Sequence, residues 1–228
     1  MEFVHVPVLL QEVLQYLEIR PDGIYADGTA GGAGHSLAIA KQLTPSGHLY
    51  AFDRDPDAVV TATERLAGYP ATVIHANYDE MEHVLKEKGV PELDGVLMDL
   101  GVSSHQLDEA SRGFSFHTDA PLDMRMSQTG MTAADLVNTA EESELSRILF
   151  TYGEERFARN IARKIVAARE ITPIRTTKEL AEIILSGVPA QQRRAKNPCR
   201  QCFQAIRIAV NGEFEHLEAG LKAAFSML

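Results

Sequence analysis

The sequence predicts an α/β fold: a parallel sheet covered by helices on both faces, carrying an inserted helical domain. Three observations point there. Over the first hundred residues, short apolar runs alternate with helical stretches. Several of those runs end in an acid. From about Thr132 onward the chain shows helical periodicity only.

The first strand is Gly23-Ile24-Tyr25-Ala26-Asp27 and the second is His48-Leu49-Tyr50-Ala51-Phe52-Asp53. Ala71–His75 reads as a third and Asp94–Asp99 as a fourth. Helical stretches near Ser36–Leu43, Pro56–Leu66 and Tyr78–Lys88 lie between them. Strand, helix, strand in repetition means right-handed crossovers and parallel pairing. Residues 100–131, rich in Gly, Ser, Asp and Met, read as a long loop. Thr132 with Asp135, Thr139 with Glu142, and Thr176 with Glu179 each have the spacing of a capping box. Phe157, Ile161 and Ile165, with Ala158, Ala162 and Val166, form an apolar stripe opposite Arg159, Arg163 and Lys164. Gly187 and Pro189 end the helix around Leu180–Leu185. The expected division is a sheet domain of residues 1–105 and 201–228, and a helical, substrate-recognising insert of 106–200.

With 228 residues, 45% hydrophobic and 24% charged, the composition is that of an ordinary globular protein. No run approaches the roughly 18 apolar residues of a membrane span, and no signal-peptide pattern stands at the start. The expected compartment is therefore the cytoplasm. The net charge of −10 hides an asymmetry: Arg156–Arg207 holds twelve Lys/Arg against three Asp/Glu. That stretch fits either a phosphate-binding surface or a set of solvated helix faces. Within it Arg193, Arg194, Lys196 and Arg200 have no nearby acid and are the best candidates for phosphate contacts. Cys199 and Cys202 form one Cys-x-x-Cys, half a zinc site or a redox pair at most. With no second ligand pair and no strand-turn-helix setting, two incidental thiols are the preferred reading, and no metal is expected.

The chemistry is concentrated at the strand ends. Asp27-Gly28-Thr29-Ala30-Gly31-Gly32-Ala33-Gly34-His35-Ser36 follows the first strand. Its glycines allow a tight turn and close approach to a ligand, and the next helix offers unpaired N–H groups. Asp53, nineteen residues past Gly34, stands where an acid can accept from both hydroxyls of an adenosyl ribose. A nicotinamide enzyme would share that acid but would want Gly-x-Gly-x-x-Gly, which Gly32-Ala33-Gly34-His35-Ser36-Leu37 fails at the third glycine. The combination favours S-adenosylmethionine over NAD. Asp99, Ser103, Ser104 and Gln106 follow the fourth strand, where ligands of open α/β sheets bind.

The ordered set His5-Val6-Pro7-Val8-Leu9, Asp27–Ser36, Asp53-Arg54-Asp55-Pro56, Met98–Ser104, Arg112–Phe116, Pro121–Met126, Tyr152-Gly153-Glu154-Glu155 and Phe203–Ile208 resembles the bacterial small-subunit ribosomal RNA methyltransferase H (MraW) family. The resemblance implies a class I, Rossmann-like S-adenosylmethionine methyltransferase sheet with a helical insert. It also implies methylation of the N4 amine of a cytidine in 16S ribosomal RNA. By matching position, the cofactor contacts would be Ala33, Gly34 and His35, Asp53 at the ribose, Tyr78 by the adenine, and Asp99 and Gln106. No catalytic residue is singled out; Ser103, Ser104 and Asp123 are candidates for the target amine. Arg112 and Arg125 fit RNA phosphates or loop acids equally, His35 fits a cofactor contact better than a base, and Met124 and Met126 fit packing better than substrate.

The sequence departs from the family pattern in three places. Ala33 stands at a usual glycine, and a positive φ there would cost on the order of 1 kcal/mol. Asn197–Cys202 differs from the family's His-Pro-Ala segment. Family members continue past Ser226-Met227-Leu228 with further strands, so four strands of the usual seven are expected, with one open edge that invites self-association. The rival reading is a non-catalytic remnant that binds cofactor or RNA without turnover.

Overall fold

The computed structural model describes residues 7–195 and 197–228; His5, Val6 and Lys196 lie outside them, as does the side chain of Arg194. The chain divides into two compact units, Met1–Ser103 with Phe214–Leu228, and Ser104–Glu213.

The first unit is built on β1 (Ile24–Asp27), β2 (His48–Asp53), β3 (Ala71–His75) and β4 (Gly95–Leu97), within the four expected segments. All pairings are parallel, in the order β3-β2-β1-β4. Register sets Asp27 opposite both Ala51 and Leu97, and Asp53 opposite His75, so the carboxyl ends of the strands line one edge. Helix α1 (Leu10–Leu17) precedes the sheet, and α2 (Gly34–Ala40), α3 (Pro56–Arg65) and α4 (Met81–Glu87) connect its strands. Pro56 opens α3 with its φ already set, and the Asp55 side chain accepts from the Asp57 N–H as its cap.

Alternation along the strands divides the core in two. Tyr25, Leu49 and Ala51 pack with Ile39, Ala62 and Leu66 on one face. Ala26 and Phe52 pack with Met81 and Leu85 on the other. Strands covered on both faces are the reason these runs are mainly apolar.

The second unit is helical: α5 (Ser104–Asp108), α6 (Ala133–Thr139), α7 (Glu142–Thr151), α8 (Ala158–Arg169), α9 (Thr177–Ser186), α10 (Ala190–Ala195) and α11 (Pro198–Asn211). The stretch expected as loop from 100 to 131 thus begins with α5 and a 3₁₀ turn at Ala110–Arg112, both too short to show a period. The apolar stripe of α8 is inward as expected, with Ala158, Ile161, Ala162 and Ile165 buried. Thr132 and Thr176 form the expected capping boxes. Thr139 does not: it is the last residue of α6, and its hydroxyl donates to the Asp135 carbonyl one turn back. The return to the sheet was expected at residue 201. Because α11 packs on α6, α7 and α9, the second unit runs on to Glu213.

The chain then forms α12 (Glu213–Met227), whose Ala223 and Met227 belong to the second face of the sheet core. The Leu93 N–H donates to the Met227 carbonyl at 2.6 Å. Among the described residues no helix is long and apolar enough to cross a membrane.

Replacing Thr176 by alanine should cost about 1 kcal/mol, the ordinary worth of an N-cap. Thr139→Ala should cost less than half of that. Urea unfolding of the two variants reads the difference.

Candidate cofactor-binding site

At the end of β1 the chain buries a carboxylate. Asp27 Oδ2 accepts from Ser36 Oγ at 2.6 Å, and Oδ1 accepts from the Thr29 N–H and hydroxyl at 3.0 and 3.3 Å. Burial pushes its pKa upward, and the Ser36 and Thr29 hydrogen bonds oppose that push only in part. Thr29 also reaches sideways: its Oγ1 accepts from the Asp99 N–H at 2.7 Å, tying the loop after β1 to the residue after β4.

The loop is drawn down on its other side by Asp53. Oδ2 accepts from the Gly31 N–H and Oδ1 from the Asp55 N–H, both at 2.8 Å. A carboxylate has about four acceptor positions, so two remain for a ligand. Burial raises the Asp53 pKa as well, against those two backbone donors.

Ala33 is the N-cap of α2 at φ 57° and ψ 28°, and it is wholly buried. The sequence-based concern is real: an L residue occupies a left-handed position that glycine takes without strain. Gly34 follows with Pro7 against it, so close that a Cβ would collide with the ring. His35 is buried, its Nε2 2.9 Å from the Val8 carbonyl and its Nδ1 3.8 Å from Asp99 Oδ2. A carbonyl only accepts, so Nε2 carries the hydrogen and Nδ1 faces the carboxylate.

Tyr78 begins the 3₁₀ turn after β3 and is held between two glycines. A Cβ at Gly28 would lie 2.9 Å from the Tyr78 Cβ, and one at Gly220 of α12 would strike its ring. The turn is capped by Asn77, whose side chain accepts from the Tyr78 N–H at 2.9 Å while Glu80 accepts from the Asn77 N–H at 3.3 Å. Among the described residues Asn77 Nδ2 is buried with no acceptor and Asp79 Oδ1 with no donor, although Asp79 Oδ2 is 2.7 Å from His216 Nδ1. A buried amide without a partner is costly, and it is open to a ligand's acceptor.

Tyr78, Asp53, the Ala30–Gly34 loop and Asp99 therefore stand in the order of β3, β2, β1 and β4 along one sheet edge. Gln106 is buried in α5 of the second unit. Sequence reasoning missed Thr29, Ser36 and Asn77. Asn77 carried a legible signal, the Asn-x-x-Glu spacing of a capping box.

In the second unit Arg125 forms a bidentate pair with Asp123, Nη2 to Oδ2 at 2.7 Å and Nε to Oδ1 at 3.0 Å. Burial alone would raise the Asp123 pKa, yet the Arg125 contacts hold it below its ordinary value. Arg112 is buried, donating to the carbonyls of Arg125 and Met126 with its guanidinium near the Phe114 ring. Both arginines are used within the loop: Arg112 donates to carbonyls, and its charge also helps to lower the Asp123 pKa. Met124 and Met126 are buried. Ser103 is half-buried and Ser104 is exposed. Arg200 is exposed, and Arg193 Nε donates to the Val188 carbonyl. Cys199 and Cys202 are buried free thiols on α11. Burial pushes Cys199 up to about 11 and Cys202 well upward, the reverse of what thiolate chemistry requires.

The sequence matches the model of the MraW methylase family over residues 2–228. The chain belongs to that family. It is 54% identical over 222 residues to a ribosomal RNA small subunit methyltransferase H from Lachnospira eligens, covering 96% of this chain and 70% of that one. A protein of the same name from Paenibacillus sp. (strain JDR-2) is 53% identical over 232 residues, covering 97% and 73%. A solved structure from Clostridium thermocellum is similar over 35% of this chain and 48% of that one, at 17% identity and a TM-score of 0.31, a likeness too slight to carry an argument. Membership fits the observed parallel sheet with flanking helices as a Rossmann-like methyltransferase fold.

Two outcomes test this geometry. Gly220→Ala should destabilise the chain by about 1 kcal/mol or more, because its methyl overpacks Tyr78. The same change should cost much less in a Tyr78→Ala background, which a double-mutant cycle measures. Asp27 carries the second test. It holds its proton more tightly folded than unfolded, so its contribution to stability is complete below the ordinary value of 3.8. That contribution falls as pH rises through the elevated folded value. Asp27→Asn should lack the decline, so denaturant titrations across this range should show the stability gap between the two proteins narrowing as pH rises.

Proposed function

We propose that the chain is an S-adenosylmethionine-dependent methyltransferase acting on the N4 amine of a cytidine in 16S ribosomal RNA. The observation that carries the reading is the strand-end series itself: Tyr78, Asp53 with two free acceptor positions, the glycine-rich loop and Asp99. The residues fit an adenosyl group. Asp53 would accept from the ribose hydroxyls, and Tyr78 would lie against the adenine. The orphaned Asn77 amide beside Tyr78 is a donor suited to an adenine ring nitrogen. Ala33, Gly34 and His35 would meet the remainder of the cofactor. The part given to Gln106 rests on the family resemblance alone.

When bound, S-adenosylmethionine supplies a methyl group on a sulfonium, open to in-line attack. The chain's contribution is then to hold the two reactants in line, which alone is worth several kcal/mol. Asp123 is spoken for by Arg125, which leaves Ser103 and Ser104 as the remaining named candidates beside the amine. The helical second unit would recognise the RNA, with Arg193, Arg194, Lys196 and Arg200 among its phosphate contacts. An RNA of the small ribosomal subunit makes the cytoplasm the working compartment. We also propose that copies of the chain pair along β4, which among the described residues has a strand only on its β1 side; sedimentation at increasing concentration tests that.

The deciding experiment is transfer of tritiated methyl from S-adenosylmethionine to small-subunit RNA or particles, beside calorimetric titration with S-adenosylhomocysteine and with NAD. Incorporation with S-adenosylhomocysteine binding supports the reading. Binding without incorporation is the remnant's signature, and NAD binding alone would sink it. Asp53→Asn should weaken S-adenosylhomocysteine by roughly tenfold or more, the worth of hydrogen bonds to a charged acceptor.

A further inference from the structure

We infer that the solvent face of α8 is a phosphate-binding surface for folded RNA, formed by Arg159, Arg163 and Lys164 with Arg156 just before the helix. The inference rests on the RNA reading above.

All four cations are exposed. Among the described residues, none of them has an ion pair or a hydrogen bond to its side chain. Lys178 on α9 and Arg200 on α11 are likewise exposed without a side-chain partner among the described residues, but each stands alone on its helix, and other exposed helical cations are paired. Lys86 pairs with Glu82 on α4, Arg147 with Glu144 on α7, and Lys222 with Glu218 on α12, each within one turn. Even on α8 the last basic residue is employed: Arg169 Nη1 donates to the Val137 and Ala140 carbonyls at 2.9 and 2.7 Å, closing the end of α6. The three cations nearer the start of α8 have no such use.

Their placement also runs against helix stability. Arg159 is the second residue of α8, whose first turn holds no acid, so its charge meets the positive end of the helix dipole. Arg159 and Arg163 are four apart and repel along the same face. Glu155 accepts from the Phe157 N–H at the helix start and offsets part of the first cost. The Arg159–Arg163 repulsion is unrelieved, and a local rule broken this way marks a place where something else sets the residues. The inward side of α8 is fully used by the core, so that requirement comes from outside the unit.

The charge identifies the occupant. The chain carries −10 overall, and this face is a concentrated exception to it. A polyanion is attracted to the face while the acidic remainder repels it elsewhere, which orients the encounter. Arginine forks match phosphate oxygens bidentately. Four helical residues advance about 6 Å, so Arg159 and Arg163 suit successive phosphates rather than a single small anion.

The test compares the whole chain with an Arg159→Gln, Arg163→Gln, Lys164→Gln variant and with Arg147→Gln, a paired exposed arginine of the same unit. Fluorescence anisotropy measures binding of a small-subunit RNA fragment across a potassium chloride series. The triple variant should lose about two units of the log affinity against log salt slope, since each phosphate contact contributes about 0.7–0.9. Its affinity at low salt should fall tenfold or more. Arg147→Gln should leave both unchanged, and Arg159→Lys with Arg163→Lys should keep most of the slope. S-adenosylhomocysteine affinity should hold in every variant, and the melting temperature of the triple variant should hold or rise, because an unfavourable dipole contact and a like-charge pair are removed. An unchanged slope in a folded triple variant that still binds RNA overturns the inference and leaves the RNA reading standing. A parent chain that neither binds nor methylates RNA overturns both. Binding of poly-glutamate as tight as RNA, lost in the same variant, would overturn the assignment to RNA in favour of an acidic protein.

Discussion

The Asp27 carboxylate is taken out of water at the end of the central strand, and a separate piece of chain meets each of its oxygens. Ser36 reaches it from α2 and Thr29 from the loop, so strand, loop and helix are locked at one point. Thr29 then passes the constraint to Asp99 beyond β4. Asp53 adds a second anchor by holding Gly31. The loop is left with little freedom, and its left-handed Ala33 is retained because these anchors over-determine the path. A site prepared this way loses little entropy when a ligand arrives.

The second unit uses its polar groups for a different purpose. The segment around Asp123–Met126 is irregular, and Met124 sits at φ 61°. Asn211 of α11 pins it, donating to the Met124 carbonyl and accepting from the Met126 N–H, both at 2.8 Å. Arg112 and Arg125 satisfy further backbone and carboxylate groups there. Residues that look in isolation like ligand contacts are therefore the internal scaffold of a long loop. Satisfying a buried loop's backbone takes this many side chains because no ladder or helix does it.

The sheet was legible because two periodicities were clean. The parallel strands are mainly apolar, β1 and β2 end in acids, and α8 kept a helical stripe, so local pattern and tertiary role agreed. Asp53 and the Asp27–Ser36 loop could be read from position relative to those strands. Thr139 misled because a threonine three residues before an acid also occurs where a hydroxyl bonds back to the preceding turn. The 3₁₀ turn at Ala110 is too short for any period to register. Thr29 and Gly220 were invisible for another reason: one acts through a hydrogen bond to Asp99, the other through the room it leaves Tyr78. Neither relation is written in nearby sequence.

The first unit is discontinuous, and that has a temporal consequence. Its second core face includes Ala223 and Met227, and the Leu93 to Met227 hydrogen bond spans the whole intervening unit. Residues 104–213, by contrast, form a unit that is continuous in the chain. During synthesis at about 5–20 residues per second, those residues take roughly 5 to 20 seconds to make. For that interval Phe52, Met81 and Leu85 wait for Ala223 and Met227, while the helices that follow form a unit continuous in the chain. The helical unit is thus able to mature on the ribosome before the sheet that precedes it, and the nascent sheet face is the part with reason to meet a chaperone.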